Sequence, residues 1–421
     1  MEQKAIIVGV NLNDQSDFTD SMEELKNLAA ACDVEVVGEL TQNASKIHIS
    51  HYIGTGKVKE VKELLEQRDA SIAIFNDELS PSQIRNLEKD LDCKVIDRTI
   101  LILDIFAERA QTREAQLQVD VAQLQYMLPR LIGLRESLGR QGGGVGMKNR
   151  GAGETKLELD RRRIEAKISA LQKELEGLVA QRQVQRKQRQ KNRIPVVSLV
   201  GYTNAGKSSL MNAILETYNP ESGKQVLAKD MLFATLETSV RNITLPDNKA
   251  FLLTDTVGFV RKLPHHLIKA FRSTLEEVSE ADLLIHVVDY SNPEHEKLVE
   301  VTRETVEELG AGHIPVIYAY NKAELTGGEW PANEPDRVYM SAKHKTGLDE
   351  LMQRIRSSIF GDYVRCDMLI PFDQGRLIAY FNDNANVTAT SYEENGTKLT
   401  MECRRADYEK YQAYIVEEEG S

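Results

Sequence analysis

One short segment constrains this chain of 421 residues more than any other. The sequence GYTNAGKSS follows the apolar run PVVSLV and precedes LMNAIL, which has a helical pattern. Its spacing is Gly-x4-Gly-Lys-Ser, with Gly201, Gly206, Lys207 and Ser208 at the fixed positions. Glycines allow backbone N–H groups to turn inward around phosphate oxygens, and the amino end of the next helix adds partial positive charge. The segment therefore predicts a strand–loop–helix unit that binds a phosphate chain, with Lys207 on the β and γ oxygens.

A second stretch imitates this loop. HYIGTGKV places Gly56 before Lys57, but His51 stands where the first glycine is required and Val58 where the hydroxyl is required. We interpret it as a loop before a surface helix. Phosphate or RNA contact through Lys57 is the alternative.

Composition excludes several classes of protein. Lys and Arg number 53 against 65 Asp and Glu, and this net charge of −12 excludes a globally basic nucleic-acid coat, although not a local basic patch. The four cysteines, Cys32, Cys93, Cys366 and Cys403, have no C-x-x-C spacing, so we expect reduced thiols rather than a disulfide scaffold or a zinc ribbon. No stretch reaches the ~20 apolar residues of a membrane span, and the run at 5–10 is too short for a signal peptide. These features predict a cytoplasmic protein without a membrane span.

Hydrophobic patterning divides the chain into four segments. The first and third alternate apolar runs with helical patterns, the second repeats apolar residues at helical spacings, and the fourth carries the hairpin turn signal Asn395-Gly396. The predicted fold class is α/β multidomain, with a mostly parallel sheet in the third segment. The predicted domains are an N-terminal α/β domain at 1–114, an antiparallel helical hairpin at 115–193 with a Gly-rich loop at 139–153, the phosphate-binding domain at 194–361, and a small C-terminal α+β domain at 362–421.

Individual elements can also be predicted. The first segment should contain strands and helices in alternation: strands at Ala5–Val10, Val34–Gly38, Ile72–Phe75 and Lys94–Ile96, and helices at Asp20–Ala31, Lys57–Glu66 and Pro81–Leu91. In the second segment, Pro129 should end the first long helix, because proline lacks the N–H that a helix interior uses.

A motif after the strand FLLT extends the phosphate site. Asp255-Thr256-Val257-Gly258 fits Asp-x-x-Gly, in which the aspartate can hold Mg²⁺ through water and the glycine N–H can sense the γ-phosphate. Upstream lies LFATLETS, where Thr235 is our choice for the threonine that completes the magnesium shell. Thr238 is the competing choice.

Two further motifs predict that the base is guanine. Asn321-Lys322-Ala323-Glu324 follows the strand VIYAY, and a carboxylate there can accept from the guanine N1–H and N2–H₂ groups, which adenine does not present. Lys322 can lie over the base plane. Ser341-Ala342-Lys343 follows VYM, and the N–H of Ala342 can meet guanine O6. Most of these motifs lie at strand ends, where open α/β sheets bind their ligands.

These motifs define the predicted site of a GTPase whose phosphoryl acceptor is water. We expect Lys207, Thr235 and Gly258 to act in hydrolysis, and Ser208 and Thr235 to ligate Mg²⁺, with Asp255 acting through water. The predicted nucleotide-binding residues are Gly201, Tyr202, Thr203, Asn204, Ala205, Gly206, Lys207, Ser208, Ser209, Phe233, Ala234, Thr235, Leu236, Glu237, Asp255, Thr256, Val257, Gly258, Asn321, Lys322, Ala323, Glu324, Ser341, Ala342 and Lys343.

The motif set resembles the translation-factor-related class of GTPases, and longer stretches narrow the resemblance to the HflX family of ribosome-associated GTPases. These stretches include YIGTGKVKE, FNDELSPSQIRNLE, VIDRTILILDIFAERA, LQVDVAQLQYMLPRL, GAGETKLELDRRRI and DTVGFVRKLPHHLIKAFRSTLEE. The resemblance implies a GTPase that binds the large ribosomal subunit and its RNA and separates stalled or idle ribosomes into subunits. It also implies that the Gly-rich loop lies near the peptidyl-transferase centre. We expect the free protein to be a monomer.

Two residues depart from common patterns. The family usually has Asn-Lys-x-Asp, and here the acid is Glu324, whose extra methylene lengthens the reach of the carboxylate. Phe259 stands where signalling GTPases carry the glutamine that orients water, which leaves the water-positioning group unassigned.

Two basic stretches predict RNA contact. The Gly-rich loop contains Arg140, Lys148 and Arg150 and no acid, and it is either a flexible linker or a tip that orders on an RNA backbone. Residues 181–193 carry six cations and no acid, either as a solvated helix end or as an RNA or domain contact. Two rival hypotheses stay open: a GTPase that acts on a protein partner or on RNA modification, and an RNA-binding scaffold with a vestigial nucleotide site.

Overall fold

The computed structural model describes residues 3–13, 17–141, 150–191, 194–220, 233, 239–262, 264, 267, 278–328, 330 and 334–416. The chain divides into two compact units. The first comprises Met1–Lys187, Lys229–Glu237 and Val257–Thr274, and the second comprises Gln188–Ala228, Thr238–Thr256 and Leu275–Ser421. Within the described ranges, every helix is too short or too polar to cross a membrane.

The first unit contains a four-stranded parallel sheet in the order β2-β1-β3-β4. Its elements are β1 (Gln3–Leu12), α1 (Phe18–Ala31), β2 (Val34–Ala44), α2 (Thr55–Arg68), β3 (Ile72–Phe75), α3 (Pro81–Leu91), β4 (Lys94–Asp97) and α4 (Arg98–Arg109). The predicted alternation of strands and helices is thus confirmed. Helix α3 begins at Pro81 because the Ser80 side chain accepts from the Gln83 N–H while the Gln83 side chain accepts from the Ser80 N–H.

Two long helices follow, α5 (Arg113–Gln141) and α6 (Arg150–Lys191), and the first unit includes α5 and α6 as far as Lys187. Arg113 at the start of α5 forms two hydrogen bonds, of 2.8 and 2.9 Å, with Glu174 in the later half of α6. The start of one helix pairs with the later part of the next in this way when the two helices run antiparallel. The prediction that Pro129 ends the first helix was wrong, because α5 continues through it. A proline removes one backbone hydrogen bond, and the remaining bonds of a helix of 29 residues are sufficient to carry it past that position.

The second unit contains a six-stranded sheet in the order β10-β9-β8-β5-β7-β6, parallel except for the antiparallel pair β6 and β7. Its elements are β5 (Val196–Val200), α7 (Lys207–Tyr218), β6 (Ser239–Thr244), β7 (Ala250–Asp255), β8 (Leu283–Asp289), α8 (His295–Glu308), β9 (Val316–Asn321), β10 (Arg337–Tyr339) and α9 (Leu348–Ile359). One face of the sheet packs on α7 and α9 through a core that includes Leu199, Ile214, Ile285 and Leu351. The predicted mostly parallel sheet is confirmed.

A three-stranded antiparallel sheet in the order β11-β13-β12 completes the second unit. It contains β11 (Tyr363–Ile370), α10 (Gly375–Asn384), β12 (Asn386–Glu393), β13 (Gly396–Arg404) and α11 (Arg405–Lys410). The hairpin predicted at Asn395-Gly396 connects β12 and β13. All four cysteines are free, and the antiparallel pairing brings Cys366 Sγ to 3.7 Å from Cys403 Sγ. The α/β multidomain class is therefore confirmed, whereas the division into four domains stays a prediction.

Candidate nucleotide site

The Gly201–Ser208 loop connects the end of β5 to the start of α7, as predicted. Gly201 has φ +146° and Gly206 has φ +96°, a region of backbone space that favours glycine. Space also requires glycine, because a Cβ on Gly201 would lie 2.3 Å from the carbonyl oxygen of Val287 and one on Gly206 would lie 2.2 Å from Asn321 Nδ2. These glycines allow the loop to lie against β8 and β9.

Lys207 is the first residue of α7 and is 6% exposed. Its Nζ donates to the carbonyl oxygens of Gly201 at 3.0 Å and Tyr202 at 2.9 Å. Burial lowers the pKa of Lys207 to about 8, and the carboxylate of Asp255 opposes only part of that shift. The carbonyl groups of the loop thus surround the Lys207 ammonium.

Ser208 and Asp255, predicted from separate motifs, lie together. Ser208 Oγ donates to Asp255 Oδ2 at 2.6 Å, and Asp255 is fully buried at the end of β7. The neighbouring Thr256 hydroxyl donates to the carbonyl of Leu199 at 2.7 Å and so fixes the end of β7 against β5. A hydroxyl and a carboxylate are the hard oxygen ligands that Mg²⁺ prefers, so these residues fit that ion.

Asn321 connects three of the predicted motifs. Its Nδ2 donates to the carbonyl of Ala205 at 3.0 Å, and its Oδ1 accepts from the N–H of Ala342 at 2.9 Å. The residue is 3% exposed. Asn321 therefore ties the phosphate loop to the loop after β10, and the Ala342 N–H that we predicted for guanine O6 donates to Asn321 in this structure.

Lys322 and Glu324 lie at the adjacent strand end. Lys322 has φ +62° and its Nζ donates to Asp289 Oδ2 at 2.8 Å. Glu324 lies on a short 3-10 helix, Ala323–Thr326, and its Oε2 is buried without a hydrogen-bond partner in the described part of the chain. A buried carboxylate oxygen without a donor is costly, so this atom is suited to accept from a bound ligand. The Asp289 contact was missed in the sequence, although an aspartate at the end of the strand LLIHVVD was the available signal.

The loop after β10 is held from within. Ser341 is fully buried, and its Oγ accepts from the N–H of His344 at 3.2 Å. Lys343 is exposed at the turn. Of the remaining predicted residues, Ala234, Thr235, Leu236 and Glu237 lie outside the described residues, as does the competing choice Thr238.

Two predicted segments belong to the first unit. Phe233 is 2% exposed, and its ring packs edge to face on Phe106 of α4 with centroids 4.7 Å apart. After Gly258, Phe259 and Val260 are also buried. The contact of Phe233 with Phe106 was not predicted, because nothing in the sequence pairs an aromatic residue with another 127 positions away.

The residues after Val260 are held by acids of the same unit. Arg261 is 6% exposed, with its backbone N–H 3.3 Å from Glu24 Oε1 and its Nη1 3.4 Å from Asp20 Oδ2. Lys262 Nζ donates to Asp77 Oδ1 at 2.5 Å. The segment that follows the Asp-x-x-Gly motif is thus anchored by charges on the N-terminal α/β elements.

Comparison with known proteins agrees with this geometry. Three family models match: GTP-binding GTPase N-terminal at residues 19–107, GTP-binding GTPase Middle Region at 109–189, and 50S ribosome-binding GTPase at 196–322. GTPase HflX of Caldanaerobacter subterraneus is 44% identical over 99% of this chain and 94% of its own length, and GTPase HflX of Escherichia coli is 38% identical over 94% and 92%. A crystal structure of a GTP-binding protein from Sulfolobus solfataricus in complex with GDP has a TM-score of 0.44 at 23% identity, covering 86% of this chain and 99% of that one. With full-length relatives at this identity and a complete phosphate loop, the chain belongs to the HflX family of GTPases and hydrolyses GTP.

Proposed function

We propose that this GTPase works with Mg²⁺ on the large ribosomal subunit and separates stalled or idle ribosomes into subunits. The observation that carries the proposal is the match of residues 196–322, which contain the phosphate loop, to the model described as a 50S ribosome-binding GTPase. The protein acts in the cytoplasm and is a monomer when free of the ribosome.

The residues of the phosphate loop supply most of the hydrolytic chemistry. The Lys207 ammonium and the backbone N–H groups of 201–208 neutralise charge that develops on the transferring phosphoryl group. Ser208, Thr235 and, through water, Asp255 would hold magnesium, which would supply further positive charge beside the phosphates. Gly258 and Thr235 respond to the γ-phosphate, and their ordering with GTP is released after hydrolysis.

Glu324 selects guanine. Its Oε2 is buried and accepts no hydrogen bond from the residues described, so a guanine N1–H and N2–H₂ edge satisfies it. Adenine offers no such pair of donors, and it would leave the carboxylate desolvated and unsatisfied. Asn321 orders the two loops around the base instead of reading it directly, because both ends of its amide are bound to backbone groups.

The basic stretches of the second segment bind ribosomal RNA. The loop at 139–153 and the helix end at 181–193 contain no acid, and together they carry nine cations: Arg140, Lys148, Arg150, Arg182, Arg186, Lys187, Arg189, Lys191 and Arg193. Such stretches neutralise backbone phosphates without reading sequence. The net charge of −12 for the whole chain argues against RNA binding over the whole surface and in favour of local basic stretches such as these.

Co-sedimentation with purified 50S subunits tests the proposal. The protein should pellet with subunits in the presence of a non-hydrolysable GTP analogue and much less with GDP. Charge reversal at Arg186, Lys187 and Arg189 should weaken the association and reduce its salt dependence, whereas Lys57→Glu on α2 is a matched control that should not. Failure to pellet in either nucleotide state would favour the rival reading, a GTPase that acts on a protein partner or on RNA modification.

A further inference from the structure

The turn of the β6–β7 hairpin, residues 245–249, contacts residues 362–416, which we call the C-terminal segment. Asn248 lies at the tip of the turn with φ +60°. Its Nδ2 donates to the carbonyl oxygens of Asn382 at 3.1 Å and Ala385 at 3.3 Å, at the carboxyl end of α10. The Asn248 side chain, in the turn between β6 and β7, thus satisfies carbonyl groups at the end of α10 in the C-terminal segment.

Lys249 makes the second contact. It is 6% exposed, with Nζ 2.9 Å from Glu402 Oε2 on β13 and 4.7 Å from the centre of the Tyr363 ring on β11. Asp247, 3.6 Å from the same Nζ, is also bound by Arg356 at the end of α9. A buried lysine is tolerated only where charges and rings are placed to receive it, so this contact fixes one relative position of turn and segment.

The arms of this hairpin lead to the nucleotide site. β7 runs from the turn to Asp255, and β6 runs back to residue 239, directly after the segment that carries Thr235. The two strands pair from Thr244↔Ala250 to Ser239↔Asp255. β6 is the edge strand and bonds only to β7 among the described strands. A shift of the turn along the strands therefore acts on Asp255, the last residue of β7.

We propose that the C-terminal segment positions the magnesium-binding edge of the nucleotide site, and that Lys249 and Asn248 are positioning residues for GTP hydrolysis. Glu402, Tyr363 and the end of α10 hold the turn at one end of β7, and Asp255 lies beside Ser208 at the other end of the same strand. The inference rests on the proposed roles of Ser208 and Asp255 at magnesium. It gives the C-terminal segment a function that acts through the hairpin without any contact with nucleotide.

Release of a fluorescent GDP analogue from the full-length protein, measured across a Mg²⁺ titration, tests this inference. Lys249→Met keeps the aliphatic stem and removes the charge, and it should accelerate release about tenfold, the equivalent of one charge-assisted hydrogen bond. It should also raise the Mg²⁺ concentration needed for half-maximal retention. Lys249→Arg should restore slow release. The matched control is Lys398→Met, which breaks the 2.9 Å ion pair with Asp367 inside the same three-stranded sheet and should leave release unchanged.

The release rates of these variants either support the inference or overturn it. Wild-type release from a folded Lys249→Met protein would overturn the inference, as would equal acceleration in Lys398→Met, because the effect would then be general loosening. If Lys249→Met does not fold, Asn248→Gly removes the two amide bonds without straining a left-handed position, and unchanged release in that variant would overturn the inference equally. Ser208→Ala in the same titration separates the failures: if it keeps the wild-type Mg²⁺ dependence, the proposed magnesium site is wrong. No ribosome is present, so a failure of ribosome binding does not affect the result.

Discussion

Replacement of Asn321 by alanine should destabilise the protein before any nucleotide binds. The amide makes two buried hydrogen bonds, to the carbonyl of Ala205 and from the N–H of Ala342. The substitution leaves both backbone groups without that partner in a site that is 3% exposed. Since each unsatisfied buried group costs about 1–3 kcal/mol and two groups are left, the free energy of unfolding should fall by about 2–6 kcal/mol.

Thermal unfolding of the nucleotide-free protein, followed by circular dichroism, measures this loss. A fall of roughly 4–24 °C is expected for the transition of the second unit, at about 2–4 °C per kcal/mol. Asn242→Ala is the matched control, because that side chain is exposed and makes one hydrogen bond of 3.4 Å to Thr244. Its effect should stay within about 0.5 kcal/mol.

Glu324→Ala provides the contrast. Glu324 Oε2 is buried without a partner among the described residues, so its removal should leave the stability of the free protein unchanged or slightly higher. If Asn321→Ala unfolds with the wild type and loses only GTP affinity, then Asn321 reads the base and does not join the loops. That result would refute the reasoning.

Three further predictions concern the nucleotide site. Lys207→Ala should abolish GTP hydrolysis, whereas Lys57→Ala should leave it nearly intact, because Lys57 pairs with Glu60 on the surface of α2; full activity in the Lys207 variant would contradict the site. Glu324→Ala should lose about ten- to a hundredfold in preference for GTP over ATP, and Glu324→Asp should retain that preference, as measured by competition binding; unchanged competition in the alanine variant would mean that the base is read elsewhere. Nucleotide affinity should fall by up to about tenfold per pH unit above pH 8, because burial lowers the pKa of Lys207 to about 8 in the free protein and phosphate oxygens favour its charged form. Calorimetry at pH 9 in two buffers of different ionisation heat should then show proton uptake on binding, absent at pH 7, and no uptake at pH 9 would contradict the role of Lys207 as the buried cation.

Much of the fold could be predicted, because local signals determined it. Ser80-Pro81 marked the start of α3, the glycine loop marked the end of β5, and Asn395-Gly396 marked the last hairpin. Pro129 was misread, since the sequence does not reveal how well the rest of a long helix supports one missing bond. Residue propensities such as that of proline bias the local structure, and the contacts of the folded protein can override that bias.

The site residues stay predictions, and the contacts that the structure shows among the described ones could not be predicted from the sequence. The sequence placed Asn321 in the guanine motif without giving its amide a partner, and that amide binds Ala205, 116 positions away. The sequence likewise gave no reason to connect Asn248 with the end of α10 or Arg261 with Glu24. Such contacts depend on how distant elements dock, and no periodicity or motif spacing encodes that docking.

The most direct test of the proposed function is the steady-state GTPase rate with and without large ribosomal subunits. Alone, the protein should hydrolyse GTP slowly, because Phe259 cannot orient water by hydrogen bonding. Subunits should raise the rate by ordering the residues around the γ-phosphate. Replacement of Gly142-Gly143-Gly144 by alanines should leave GTP binding by the free protein intact and reduce the stimulation, because alanine does not readily adopt the positive φ values that a glycine tip uses. A wild-type rate unchanged by subunits would contradict the account, and loss of GTP binding in the triple variant alone would show that the loop and the hydrolytic site are not separable.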